Sequence, residues 1–233
     1  MTLIPSPVAS RMSAAVDSPQ LESLYRVPVA AAELRGAGDP NALFPEERMG
    51  QERWAAKRVS EFAAGRQCAH LAMRRLGIAP APLLPQTDRR PAWPAGVVGS
   101  ITHCRGYGAA VVALESSVRS LGLDAEVADA VEPHLWPRVL NADEVAWVLS
   151  KPDSERRLWA TVVFSAKEAF YKCQFGVTGK WLQFGDAQVH VEPLAAGAAA
   201  FALVSRSKDV TLQGRGFILE GTICTAFAWP TAE

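Results

Sequence analysis

Three carboxylates and two lysines in this 233-residue sequence have the types and spacing for work on phosphate groups. In Phe164-Ser165-Ala166-Lys167-Glu168-Ala169-Phe170-Tyr171-Lys172, charged residues stand inside an apolar, helix-forming run. Helix period puts Glu168 and Lys172 on one face, with Lys167 about 100° round from Glu168. Leu121-Gly122-Leu123-Asp124-Ala125-Glu126 reads as a strand, on which Asp124 and Glu126 share a face. A divalent cation takes hard oxygen ligands, and a phosphate chain takes positive charge. Asp124, Glu126 and Glu168 offer the first, Lys167 and Lys172 the second. The plainer reading of each fragment is a solvated strand face, or an exposed helix pair worth about 0.3–0.5 kcal/mol.

Such a site needs rigid elements brought together, and the flanking sequence supplies them. Pro152-Asp153-Ser154-Glu155 opens the long helix that carries Lys167 and Glu168. Gly96 to His103 reads as a strand with a polar tip, Ser100, Thr102 and His103. Arg105-Gly106 turns the chain, and Tyr107 to Leu114 reads as a buried return strand. Three neighbouring strands therefore converge near Thr102-His103 and Asp124-Glu126. Asn141-Ala142-Asp143-Glu144 has capping-box form and starts a short helix through Leu149. Trp181 and Phe184 fall in a loop. Residues 200–205, 216–221 and 223–229 read as antiparallel strands.

Upstream, Ala31 to Pro40 reads as a Gly/Pro/Asp loop, and Phe44-Pro45-Glu46-Glu47 as a helix start. The stretch to Gly77 is mostly helical, with Phe62, Ala69 and Leu76 as its buried stripe. Gly65 is expected to divide it into two helices and Gly77 to end the second. It is also the most basic region, with Arg53, Lys57, Arg58, Arg66, Arg74 and Arg75. Arg58 and Arg66, about two turns apart, lie on one side and can reach one elongated anion. The proline-rich residues 80–85 and 88–94 cannot be regular helix.

The chain is 49% hydrophobic with 24 basic and 24 acidic residues, which suits one large domain or two small ones with real cores. Zero net charge argues against a general nucleic-acid binder and requires any anion site to be local. Cys68, Cys104, Cys173 and Cys224 have no metal-type spacing and read as reduced thiols in a cytoplasmic protein. No apolar run approaches the ~18–20 residues of a membrane span. Residues 1–20, rich in Ser, Pro and Ala, read as a loose tail, followed by halves at 21–119 and 120–233 with similar plans.

Gly-Ser-Ile-Thr-His-Cys at 99–104, Leu-Gly-Leu-Asp-Ala-Glu at 121–126 and the 164–172 block together resemble the signature blocks of 4′-phosphopantetheinyl transferases. The match is to the larger, monomeric type that activates siderophore, polyketide and nonribosomal peptide synthases. Residues 57–69 and Pro91-Ala92-Trp93-Pro94 extend the likeness, which runs from about residue 44 to the end. Phe164 stands where many members have Trp, and Ala125 where larger residues are common.

The resemblance implies a pseudo-two-fold α+β fold. It also implies transfer of the 4′-phosphopantetheine arm of coenzyme A to a serine of an apo acyl or peptidyl carrier protein, leaving 3′,5′-ADP. Mg2+, with Mn2+ as the alternative, would be held by Asp124, Glu126 and Glu168. Lys167 and Lys172 would add charge beside the phosphates, Lys172 also reading as a helix ion-pair partner. Glu168, directly or through a water, is the candidate base, with His103 the other. His103 is preferred as a phosphate ligand beside Ser100 and Thr102. Arg58, Arg66 and, less directly, Arg90 are the candidates for the nucleotide end of coenzyme A. Leu135, Trp136, Leu140, Phe175 and Val177 read first as core and second as a carrier-docking surface. The rival readings are another Mg-dependent phosphotransferase, weakened by the lack of a P-loop, and a non-catalytic module that binds coenzyme A or carrier protein.

Overall fold

The computed structural model describes residues 13–194 and 200–231. The chain forms β1 (Val16–Asp17), α1 (Pro19–Glu22), β2 (Ala30–Arg35), α2 (Pro45–Arg48), α3 (Ala56–Arg75), β3 (Val97–Cys104), β4 (Tyr107–Leu114) and β5 (Val118–Val127). It continues with α4 (Trp136–Val139), α5 (Ala142–Leu149), α6 (Asp153–Thr178), β6 (Gln188–Pro193), β7 (Ala200–Arg206), β8 (Thr211–Leu219) and β9 (Thr222–Pro230). Two antiparallel sheets result, ordered β1-β2-β4-β3 and β5-β9-β8-β7-β6. Helix α3 packs on the first and α6 on the second. This is the expected fold of two α+β halves, each a long helix on an antiparallel sheet.

Several local expectations are corrected. Gly65 does not divide the first helical region: α3 runs through it. A Cβ at 65 would lie 2.6 Å from Ile101 Cγ2, so the glycine seats the helix on β3. The break falls earlier, where Gly50 takes φ +79°. Gly77, at φ +74°, does close α3 as expected. Ala31 to Pro40 is not all loop, because residues 30–35 form β2 against β4. Alanine has low strand propensity, and the pairing comes from burial between α3 and the second core. Strand β6 was not foreseen. Of the tail, residues 1–12 lie outside the described residues. Residues 16–17 pair with β2, and Ser18 accepts from Leu21 N to cap α1, whose Leu21 is fully buried.

Two devices position the cleft between the halves. The first is a seam between β3 and β5, edge strands of different sheets. Ser100 Oγ accepts from Leu123 N at 3.0 Å, and Thr102 Oγ1 accepts from Ala125 N at 3.0 Å. Alternate hydroxyls thus satisfy alternate amides in place of a backbone ladder. The second is the approach of α6 to β5. A Cβ at Gly122 would collide with the Ala169 carbonyl oxygen and come within 2.9 Å of Cys173 Cβ. Only glycine lets the helix lie this close, and Asp124 and Glu126 follow on the same face of β5.

Gly122→Val should therefore cost about 3 kcal/mol through overpacking, a melting-point drop of roughly 6–12 °C for a chain of this size. Gly185→Ala, whose added Cβ meets nothing within 4 Å, should leave the circular-dichroism melt unchanged. Equal melts for the two variants would refute the close-approach account.

Candidate active site

Strand β5 brings Asp124 and Glu126 to the cleft, α6 brings Glu168 and Lys172, and the tip of β3 brings Thr102 and His103. Asp124 is 4% exposed. Its Oδ1 accepts from Lys172 Nζ at 2.7 Å and from Thr102 Oγ1 at 3.4 Å. Lys172 Nζ also donates to Leu123 O at 3.0 Å. Asp124 Oδ2 is buried with no hydrogen-bond partner among the described residues, an arrangement that costs about 1–3 kcal/mol for a polar atom and more for a charged one.

Burial, then the charges of Asp124 and Glu168, push the Glu126 carboxyl up to about 7, against the pull of Lys172. Burial also raises Glu168, with Lys172 opposing and Asp124 adding. The three acids share one field, yet among the described residues no three His, Cys, Asp or Glu side chains form a group able to hold a metal ion. The donor chemistry still fits a hard divalent cation: three carboxylates that disfavour one another's charge, one of them presenting a bare buried oxygen.

His103 is half-exposed, its Nδ1 3.8 Å from Glu61 Oε2 of α3. Burial lowers its pKa, Glu61 and Asp124 oppose this, and Lys172 and Arg58 assist it. Arg58 is exposed and stacks over Trp54 at 4.7 Å. Ser100 is committed to the β3–β5 seam. Two cavities meet at Tyr171 and Trp181. One of about 320 Å³ is lined by Arg90, Ser100, Arg119, Lys172 and Phe175, and one of about 650 Å³ by Glu168, Arg138, Leu182 and Phe184. Tyr171, Phe175 and Trp181 form an aromatic cluster at that divide.

Three expected site residues are placed elsewhere or engaged. Lys167 does not face the acids. Its Nζ is buried 2.7 Å from Glu144 Oε2 and donates to Val139 O and Phe184 O at 3.0 and 2.7 Å. The 100° rotation from Glu168 turns it under α5, at the wall of the larger cavity. Arg66 is 6% exposed, stacked 4.3 Å over Phe62, with Nε on Leu83 O at 2.9 Å and Glu47 at 3.9 Å. It ties the proline-rich connection to α3. Arg90 lines the smaller cavity, but Asp88 holds it at 2.8 Å while it stacks on Phe175 at 5.1 Å. Trp136, Leu140 and Phe175 are buried, and Leu135 packs against the core.

Sequence reasoning missed Glu61, Arg119 and Tyr171. Tyr171 lay inside the 164–172 block and could have been taken with it. Glu61 and Arg119 carry no local signal, because only the tertiary fold sets them beside the cleft.

Comparison with known proteins gives two family-model matches. The 4′-phosphopantetheinyl transferase N-terminal domain covers residues 46–113, and the 4′-phosphopantetheinyl transferase superfamily covers residues 120–225. The chain is similar to 4′-phosphopantetheinyl transferase Svp of Streptomyces mobaraensis, 39% identical over 82% of this chain and 80% of the relative. It is 36% identical to 4′-phosphopantetheinyl transferase PptT of Mycobacterium tuberculosis, over 85% of this chain and 91% of the relative. With 4′-phosphopantetheinyl transferase Npt of Nocardia iowensis it shares 32% identity over 90% of this chain and 99% of the relative.

Two outcomes follow from the geometry. Lys167→Met should cost about 3–5 kcal/mol in urea unfolding, because it strands the Glu144 carboxylate. Adding Glu144→Gln should recover part of that loss, and an unaltered midpoint for the single variant would disprove the buried pair. Glu126 holds its proton more tightly folded than unfolded. Its stabilising effect is thus full below its ordinary 4.5 and lost as pH rises through about 7. With chelator present, the unfolding midpoint should fall across that window, and Glu126→Gln should flatten the slope. Identical slopes would remove Glu126 as the titrating group.

Proposed function

The chain belongs to the 4′-phosphopantetheinyl transferase superfamily, and on that footing we propose how its cleft does the reaction. The enzyme transfers the 4′-phosphopantetheine group of coenzyme A to a serine of an apo carrier protein, giving holo-carrier and 3′,5′-ADP. The observation that carries the assignment of residues is the Asp124–Lys172 pair at 2.7 Å, with Asp124 Oδ2 left bare beside Glu126 and Glu168.

Coenzyme A lies across the cleft, with its diphosphate near Lys172 and its two ends toward the two cavities. Asp124, Glu126 and Glu168 would hold Mg2+, or Mn2+ in its place. Bound there, the cation supplies positive charge to the diphosphate and to the leaving 3′,5′-ADP oxygen. Lys172 adds charge between acids and phosphate. His103 faces phosphate oxygens, and Arg58 meets the nucleotide end from α3. Glu168 takes the proton of the carrier serine as its Oγ bonds to phosphorus and the bond to 3′,5′-ADP breaks. Burial raises its affinity for a proton, which suits a group that must accept one. The first half supplies β3 and α3, the second β5 and α6, so one chain completes the cleft and works as a cytoplasmic monomer. No helix among the described residues is long and apolar enough to cross a membrane.

The test is incubation with coenzyme A, Mg2+ and an apo carrier protein. Mass spectrometry should show the carrier gaining one phosphopantetheine group. Glu168→Gln keeps the shape and a carbonyl oxygen but loses charge and basicity. It should lower turnover by about 10²-fold or more, the range for a lost general base, while coenzyme A still binds. Near wild-type turnover in a folded Glu168→Gln protein would move the base role to His103.

A further inference from the structure

Glu61 is out of place in a site for a diphosphate. It stands on α3 with its side chain 23% exposed, among groups that would otherwise favour an anion: Lys57, Arg58 and His103. A half-buried carboxylate there repels phosphate unless it does other work. Its contacts show what that work is. Glu61 Oε1 is 3.7 Å from Lys57 Nζ, and its Oε2 is 3.8 Å from His103 Nδ1. Lys57 is 74% exposed and contributes little as a pair. His103 sits at the polar tip of β3, where among the described residues its ring makes no hydrogen bond and this carboxylate's approach is its one ion-pair contact.

We propose that Glu61 is a positioning residue for His103. It draws the Nδ1–H toward α3, so that Nε2, on the far side of the ring, faces the cleft that Asp124 and Lys172 border. The logic is that of a carboxylate fixing an imidazole's tautomer and orientation from behind. The inference rests on the coenzyme A reading of the cleft, since it assigns Nε2 to a phosphate oxygen.

The experiment is a double-mutant cycle on carrier modification, with coenzyme A varied and Mg2+ saturating. The variants are Glu61→Ala, Glu61→Gln, His103→Ala and Glu61→Ala/His103→Ala. Glu61→Ala should lower kcat/KM for coenzyme A by about tenfold, the low end for loss of a histidine's supporting carboxylate. In the His103→Ala background the same change should cost less than about twofold, because coupled side chains are non-additive. Glu61→Gln should recover most of the loss, since its amide oxygen can accept from Nδ1–H when the ring tightens onto it in the substrate complex. Additive losses would overturn the proposal, as would tighter coenzyme A binding by Glu61→Ala in calorimetry, which would mark Glu61 as plain repulsion. Failure of the wild-type protein to modify any carrier would instead overturn the functional reading beneath it.

Discussion

The closeness of α6 to β5 is the constraint on which the cleft depends. At Gly122 the strand has no side chain, and the backbone of Ala169 occupies the space one would fill. Two residues on along the strand comes Asp124. One residue before and three after Ala169 along the helix come Glu168 and Lys172. The approach thus sets the distance at which like charges must coexist. Burial penalises the charged form of each acid and the neighbouring acids add to this against Lys172, which is why Glu126 and Glu168 bind protons more tightly than free carboxylates.

The second half alone would leave this acid cluster on an open edge. The β3–β5 seam closes it. Two hydroxyls, Ser100 and Thr102, replace the ladder that two edge strands of different sheets cannot form, and His103, of the opposite parity, follows at the strand tip beside Glu61 of α3. Ser100 and Thr102 therefore have structural work that a reading of them as phosphate donors leaves out. The Thr102 hydroxyl receives from Ala125 N and donates at 3.4 Å to Asp124 Oδ1, which leaves it no proton for a phosphate oxygen.

Much of this was legible in the sequence. Strand β4 falls where its continuous apolar run and the Arg105-Gly106 turn put it, and α5 begins at the capping box of Asn141 and Glu144. Asp124, Glu126, Glu168 and Lys172 come together because periods of 2.0 and 3.6 place them on facing surfaces. What was not legible has a common cause. The strand residues 30–32 are alanines, which carry no pattern until packing supplies one. Gly65 reads as a break because its use as a contact surface depends on Ile101, distant in sequence. Arg66 reads as a free cation because its partners, Leu83 and Glu47, come from other segments.

The two lysines of one helix show how far periodicity carries. Lys172 shares a face with Glu168, and the cleft keeps it. Lys167 is 100° round, and that angle alone takes it away from the acids. It lies under α5, where Glu144 both caps that helix and accepts its charge. Counting the cleft without Lys167 changes its electrostatics. Asp124, Glu126, Glu168 and Glu61 face Lys172, Arg58 and His103 at the centre of the cleft, while Arg90, Arg119 and Arg138 line the cavities on either side. That balance is what a divalent cation would offset in the proposed reaction, for binding as well as for the leaving group. It also makes the direction in which each remaining cation is held, His103 above all, decisive for where the phosphates can sit.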